Sequence, residues 1–264
     1  MTIDISGFDQ NLVSFDNRSY PVYRAGTGPG VMVIHEVPGI TPPVVDFARR
    51  VVDRGFTVMM PSLFGTPMKP YSPQYAASSL TRACVSREFH CFAMDKASPI
   101  TVWLRHLARR LHEEVGGPGV GVVGMCLTGG FALAMMVDDT VAAPVLSQPA
   151  IPLPIGSARQ ASLGLSQEDL ETVKQRADQG CQVLGLRFTS DLSVRASRFE
   201  TLRALLGENF IGVEIDSSRD NPHGISRMAH SVLTEHLVEE DDHPTWKALE
   251  HVLSFFDDKL TKIG

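Results

Sequence analysis

Short, wholly apolar runs alternate with longer amphipathic segments along this chain of 264 residues, and that alternation restricts its fold more than any other feature. An apolar run bounded by glycine, proline or polar residues reads as a strand buried on both faces, which requires helices on both sides of the sheet. The runs are "GVMVIHE" (30–36), "FTVMMPSLFG" (56–65), "GVGVVGM" (119–125), "VAAPVLSQPA" (141–150), "CQVLGLRFT" (181–189) and "NFIGVEID" (209–216). Between and after them lie segments with helical spacing at 41–55, 98–117, 129–139, 166–179, 195–207 and 244–260. Thr41 before a proline and Gly55 after basic residues mark the ends of the first helix. "NLVSFD" and "YPVYRA" near the start read as two antiparallel strands. The chain is therefore expected to be α/β, a mostly parallel, doubly wound sheet with helices on both faces and right-handed crossovers.

No repeat, linker or low-complexity tract divides the chain, so 1–264 reads as one domain, with a surface excursion at about 66–99 where Pro67, Pro70 and Pro73 blur the pattern. The net charge of −6 gives no basic footprint for nucleic acid or an anionic membrane surface, and no apolar stretch reaches the roughly 18 residues of a membrane span. The opening "MTIDISGFDQNLVSFD" has no basic segment followed by an apolar one, which predicts a cytoplasmic protein. Cys84, Cys91, Cys126 and Cys181 form no C-x-x-C pair, so neither a zinc site nor a disulfide framework is expected, and no cofactor is indicated. A small-molecule partner is left, with the oligomeric state open.

In doubly wound sheets the site lies beyond the carboxyl ends of the strands. Five strand ends carry polar residues or turns: His35 to Gly39, Pro61 to Gly65, Cys126, Asp191, and Asp216 with His223 and His230 in the loop beyond. "GMCLTGG" (124–130) is a strand, a tight glycine-flanked turn and the start of a helix, the form of a nucleophile elbow with cysteine in the serine position. Small residues allow strand, turn and helix to pack closely, and the helix N-terminus favours a thiolate. Nucleophile, acid and base follow in the chain order of that architecture as Cys126, Asp191 and a histidine after the last strand. Asp216 competes with Asp191 for the acid, and position alone does not choose between His223 and His230.

At these residues the chain resembles the dienelactone hydrolase family of the α/β-hydrolase fold. The resemblance runs through "VMVIHEVPGI", "GFTVMMPSLFG", "VGVVGMCLTGGFALAM", "LGLRFTSDLSV" and "AHSVLT". It implies a catalytic Cys126, Asp191 and His230, with Glu36 holding the resting thiol and releasing it when substrate binds. It also implies an arginine that takes a substrate carboxylate and pairs with that glutamate, for which Arg87 is the candidate and Arg82 the second. On this reading the thiolate attacks an ester or lactone carbonyl, the backbone N–H groups of Val37 and Leu127 hold the oxyanion, and water then hydrolyses the thioester. The expected substrate is a small lactone or ester, carboxylated as dienelactone is. A general carboxylesterase or thioesterase is the alternative within enzymes, and a non-catalytic ligand-binding protein the alternative outside them. The chain departs from the family where Thr128 replaces a glycine two residues after the cysteine, and in a longer stretch between Gly65 and Ile100.

Overall fold

The structure, a computed structural model, describes residues 4–85, 98–151 and 156–261. Among them eight strands form one sheet: β1 (Asp9–Phe15), β2 (Arg18–Ala25), β3 (Gly30–Ile34), β4 (Thr57–Pro61), β5 (Val120–Met125), β6 (Val141–Ser147), β7 (Val183–Phe188) and β8 (Phe210–Ile215). Their order is β1-β2-β4-β3-β5-β6-β7-β8. β1 pairs antiparallel with β2 and β2 with β4, while every later pairing is parallel.

The helices are α1 (Pro42–Asp53), α2 (Pro73–Val85), α3 (Pro99–Val115), α4 (Gly129–Met135), α5 (Ser157–Ala161), α6 (Gln167–Asp178), α7 (Ala196–Leu206) and α8 (Pro244–Leu260). The two-residue period of the strands sends Met32 and Ile34 of β3, with Val120 and Val122 of β5, into one core with Trp103 and Leu107 of α3 and Phe131 of α4. Val31, Val33, Val123 and Met125 enter the opposite core, with Phe47 and Val51 of α1 and Leu249 and Phe256 of α8. All residues of β3, β4 and β5 are buried, as their unbroken apolar runs require. Helix α8 lies so close to β5 that a Cβ at Gly121 would stand 2.7 Å from the Phe256 ring. That approach holds the last helix, and the loop leading to it, against the middle of the sheet.

The described part of the excursion, residues 66–85, is more ordered than its prolines suggest. Within it α2 forms, and the Tyr75 hydroxyl anchors it by accepting from the Thr66 N–H at 2.5 Å and donating to the Thr66 carbonyl at 3.2 Å. A short helix, α5, was not anticipated from the sequence. The helix expected to start directly at the elbow is preceded by a 3-10 turn over Cys126–Thr128.

Candidate active site

The carboxyl ends of β3, β5, β6 and β7, with the loop after β8, converge on one cavity. The elbow is built by local sterics. Cys126 has φ +55°, a left-handed conformation that costs a residue with a Cβ roughly 1–2 kcal/mol. The turn closes because Gly124 precedes it: a Cβ there would lie 2.1 Å from the Thr128 carbonyl oxygen. Gly129 is held bare by Pro149, whose Cα would be 2.7 Å from an added Cβ. Thr128 is fully buried, and its hydroxyl accepts from the Met125 N–H at 2.9 Å. Its proton faces the carbonyls of Met125, Ile34 and His35 at 2.9, 3.0 and 3.2 Å. A threonine thus occupies the place of the expected glycine with its backbone in the ordinary right-handed region.

Beyond β7, Asp191 is buried, and its Oδ1 accepts from the Ser193 N–H at 2.8 Å. Its Oδ2 stands 2.6 Å from Nδ1 of His230. Burial raises the Asp191 pKa, but the hydrogen bond and charge of His230 with the amides of Ser193 and Val194 outweigh it, so the carboxyl sits below its usual value. Burial likewise opposes a charged His230. The charge interaction and hydrogen bond with Cys126, and those with Asp191, outweigh it and hold the imidazole well above its ordinary value. The structure therefore brings Cys126, His230 and Asp191 into one chain of contacts.

The competing residues are placed elsewhere. Asp216 is exposed, and its carboxylate accepts from the Ser218 N–H. His223 is exposed too and meets the ring of His243 edge-on. Val37 and Leu127 both line the cavity next to Cys126. Arg82 lies on α2, whereas Arg87 is outside the described residues.

Glu36 is buried and does not stand alone. Its carboxylate accepts from Ser231 Oγ at 2.6 Å, from Gln148 Nε2 at 3.1 Å and from the Thr234 hydroxyl. All three of these partners are neutral. His35, just before it, donates from Nδ1 to the Glu36 carbonyl at 2.9 Å and accepts at Nε2 from the Leu63 N–H at 3.0 Å. Burial pushes His35 down to about 4, so the ring is neutral and fixes the strand end that leads to Val37. Gln148, Ser231, Thr234 and His236 were not singled out from the sequence. Gln148 could have been, because it stands just past β6 under the same strand-end rule that drew attention to Cys126 and Asp191.

The cavity measures about 680 Å³, in the range of clefts that take drug-sized ligands. Cys126, His230 and Ser231 line it together with Tyr71, Ala76 and Leu80, which come from α2 and the segment before it. Among the described residues no cluster of three or more His, Cys, Asp or Glu could hold a metal ion, and no helix is long and apolar enough to cross a membrane.

A mostly parallel sheet covered by helices, with a strained elbow at β5 and an acid and a histidine after later strands, defines the α/β-hydrolase class. Residues 18–260 match the dienelactone hydrolase family, and the chain belongs to that family, a group of carboxylic ester hydrolases. Its fold is similar to that of a putative dienelactone hydrolase from Klebsiella pneumoniae subsp. pneumoniae MGH 78578, at 17% identity, TM-score 0.62, and 94% of this chain and 98% of that one covered. It is similar also to a cold-adapted esterase from an Arctic intertidal metagenomic library, at 13% identity, TM-score 0.61, and coverage of 98% and 97%. A third similar structure is a dienelactone hydrolase-like promiscuous phosphotriesterase from metagenomic libraries, at 15% identity, TM-score 0.58, and coverage of 97% and 100%. No curated protein sequence matches the chain.

Proposed function

We propose that the protein hydrolyses small esters and lactones by covalent catalysis from Cys126, with His230 as acid and base and Asp191 as the group that orients it. The observation that carries this reading is the 2.6 Å contact of Asp191 Oδ2 with His230 Nδ1, which leaves the other ring nitrogen of His230 for Cys126, a residue that lines the same cavity. The Cys126 thiolate attacks the carbonyl carbon, and the C=O electron pair moves to oxygen, facing the amides of Val37 and Leu127. As the carbonyl re-forms, the alkoxide leaves and takes the proton from His230. In a lactone that alcohol stays tethered to the acyl group. His230, now neutral, takes a proton from water, whose oxygen attacks the thioester. Collapse re-forms the C=O bond, releases the carboxylic acid and expels the Cys126 thiolate beside the imidazolium already formed.

Glu36 supports the site through neutral donors: it ties Ser231 and Thr234, next to His230 in the chain, to the end of β3 and to Gln148 after β6. Within this reading the substrate carries a carboxylate, taken by Arg87 or Arg82. Alanine at the responsible arginine should raise KM for a carboxylated lactone and leave an uncharged ester unaffected.

The test of the nucleophile is mass spectrometry on enzyme mixed with p-nitrophenyl acetate and quenched in acid. One acetyl group on the Cys126 peptide, absent in Cys126→Ala, supports the proposal. Unchanged turnover by Cys126→Ala overturns it.

A further inference from the structure

Resting on the hydrolase reading, we propose that His236 is a specificity-determining residue, a fixed, uncharged hydrogen-bond donor for a second oxygen of the substrate beyond the attacked carbonyl. His236 borders the same cavity as Cys126 and His230. Its Nδ1 accepts from the Ser231 N–H at 3.2 Å and faces the His230 N–H at 3.5 Å. A ring nitrogen that accepts from an amide carries no proton, so the proton of the neutral ring is on Nε2, at the opposite edge. Among the described residues no acceptor is bonded to Nε2. Burial and the charge of His230 push the His236 pKa down, against the opposing pull of Glu36 and Asp191, which keeps the ring uncharged. Its edge-on contact with Phe188 and the bond from its own N–H to the Ser231 carbonyl at 3.0 Å hold it in place.

The surroundings define what it binds. Glu235 borders the cavity beside it, so a substrate carboxylate placed at the uncharged ring would be left without a counter-charge there and opposed by the Glu235 carboxylate. An ether, ester, keto or hydroxyl oxygen would not. The cavity lining also includes Ala150, Ile151 and Met228, which are apolar and suit the carbon skeleton that carries such an oxygen. Substrates of this class are esters or lactones with an uncharged oxygen on the acyl part.

The test compares p-nitrophenyl methoxyacetate with p-nitrophenyl butyrate, which differ by an oxygen in place of a methylene. In His236→Asn the amide oxygen can still accept from the Ser231 N–H, but nothing reaches the Nε2 position. The ratio of kcat/KM for the two esters should fall roughly three- to tenfold from its wild-type value, the span of one uncharged hydrogen bond, with Tm unchanged. In His236→Gln, whose amide nitrogen reaches the Nε2 position, the ratio should be kept. An unchanged ratio in a folded His236→Asn protein, or equal loss of ratio and Tm in both variants, makes His236 a loop cap only and overturns the proposal. Failure of the wild-type enzyme to turn over either ester would instead strike at the hydrolase reading.

Discussion

The hydroxyl of Thr128 stands 3.0 Å from the carbonyl oxygen of Ile34, so the elbow after β5 is fastened directly to the end of β3, the neighbouring strand that leads to Val37. The Thr128 hydroxyl oxygen also accepts from the Met125 N–H inside the elbow. Thr128→Val keeps the shape but leaves a buried amide and a buried carbonyl without their partner, which costs about 1–3 kcal/mol. Urea unfolding should show that loss, together with a fall in kcat as Val37 and Leu127 move relative to Cys126. Thr128→Ser should restore most of both, and equal stability of the valine variant would show that the hydroxyl fastens nothing.

The strain at Cys126 can be separated from its chemistry. Cys126→Ala and Cys126→Gly are both expected to be inactive, but only glycine takes φ +55° without steric cost. The glycine variant should unfold at higher denaturant than the alanine variant, by about 1 kcal/mol. Gly124→Ala should yield little folded protein, because its Cβ would meet the backbone oxygen of Thr128.

Asp191 acts on the reaction through His230. Asp191→Asn keeps the size of the side chain and removes the charge that favours a protonated His230. Steady-state kinetics should show kcat lowered by about 10²–10⁴-fold with a smaller change in KM. Asp216→Asn, on the exposed neighbour, should leave both constants within a factor of about two of wild type.

The buried His35 sets one limb of the stability profile. Its folded value is about 4 against an ordinary 6.5, so between these values the unfolded chain binds the extra proton. Stability from this residue is complete above pH 6.5 and is lost as pH falls towards 4, amounting to about 3 kcal/mol. His35→Gln, which keeps an acceptor for the Leu63 amide, should be less stable at pH 7 but show a shallower decline in urea midpoint from pH 7 to pH 4.5. Parallel profiles would remove His35 as the cause.

Much of the sheet was legible because β3, β4 and β5 are buried on both faces and their residues are apolar without interruption. Helix α2 was not, since "PQYAASSLTRACV" carries small residues and no clear apolar stripe, opens on Pro73 and follows Pro67 and Pro70. Cys126 and Asp191 could be picked out because each stands just past a strand. The histidine could not be chosen from position, because His223 and His230 share one loop and only packing turns His230 to Asp191 and His223 to His243. The partners of Glu36 lay hidden for a different reason: they are 112, 195 and 198 residues away along the chain and form no spacing motif.

The sequence by itself determined the local terms. Apolar runs specified the strands and helical spacing most of the helices, and Gly124 and Gly129 allowed a turn tight enough to present Cys126. Those are interactions among residues a few positions apart, where steric and burial preferences act directly. The tertiary structure alone decided which polar groups meet. The order β4-β3-β5-β6-β7 sets the ends of distant segments side by side. Hydrogen bonds over 2.6 Å then fix Asp191 to His230 and Ser231 to Glu36 with a specificity that no property of the single residues carries.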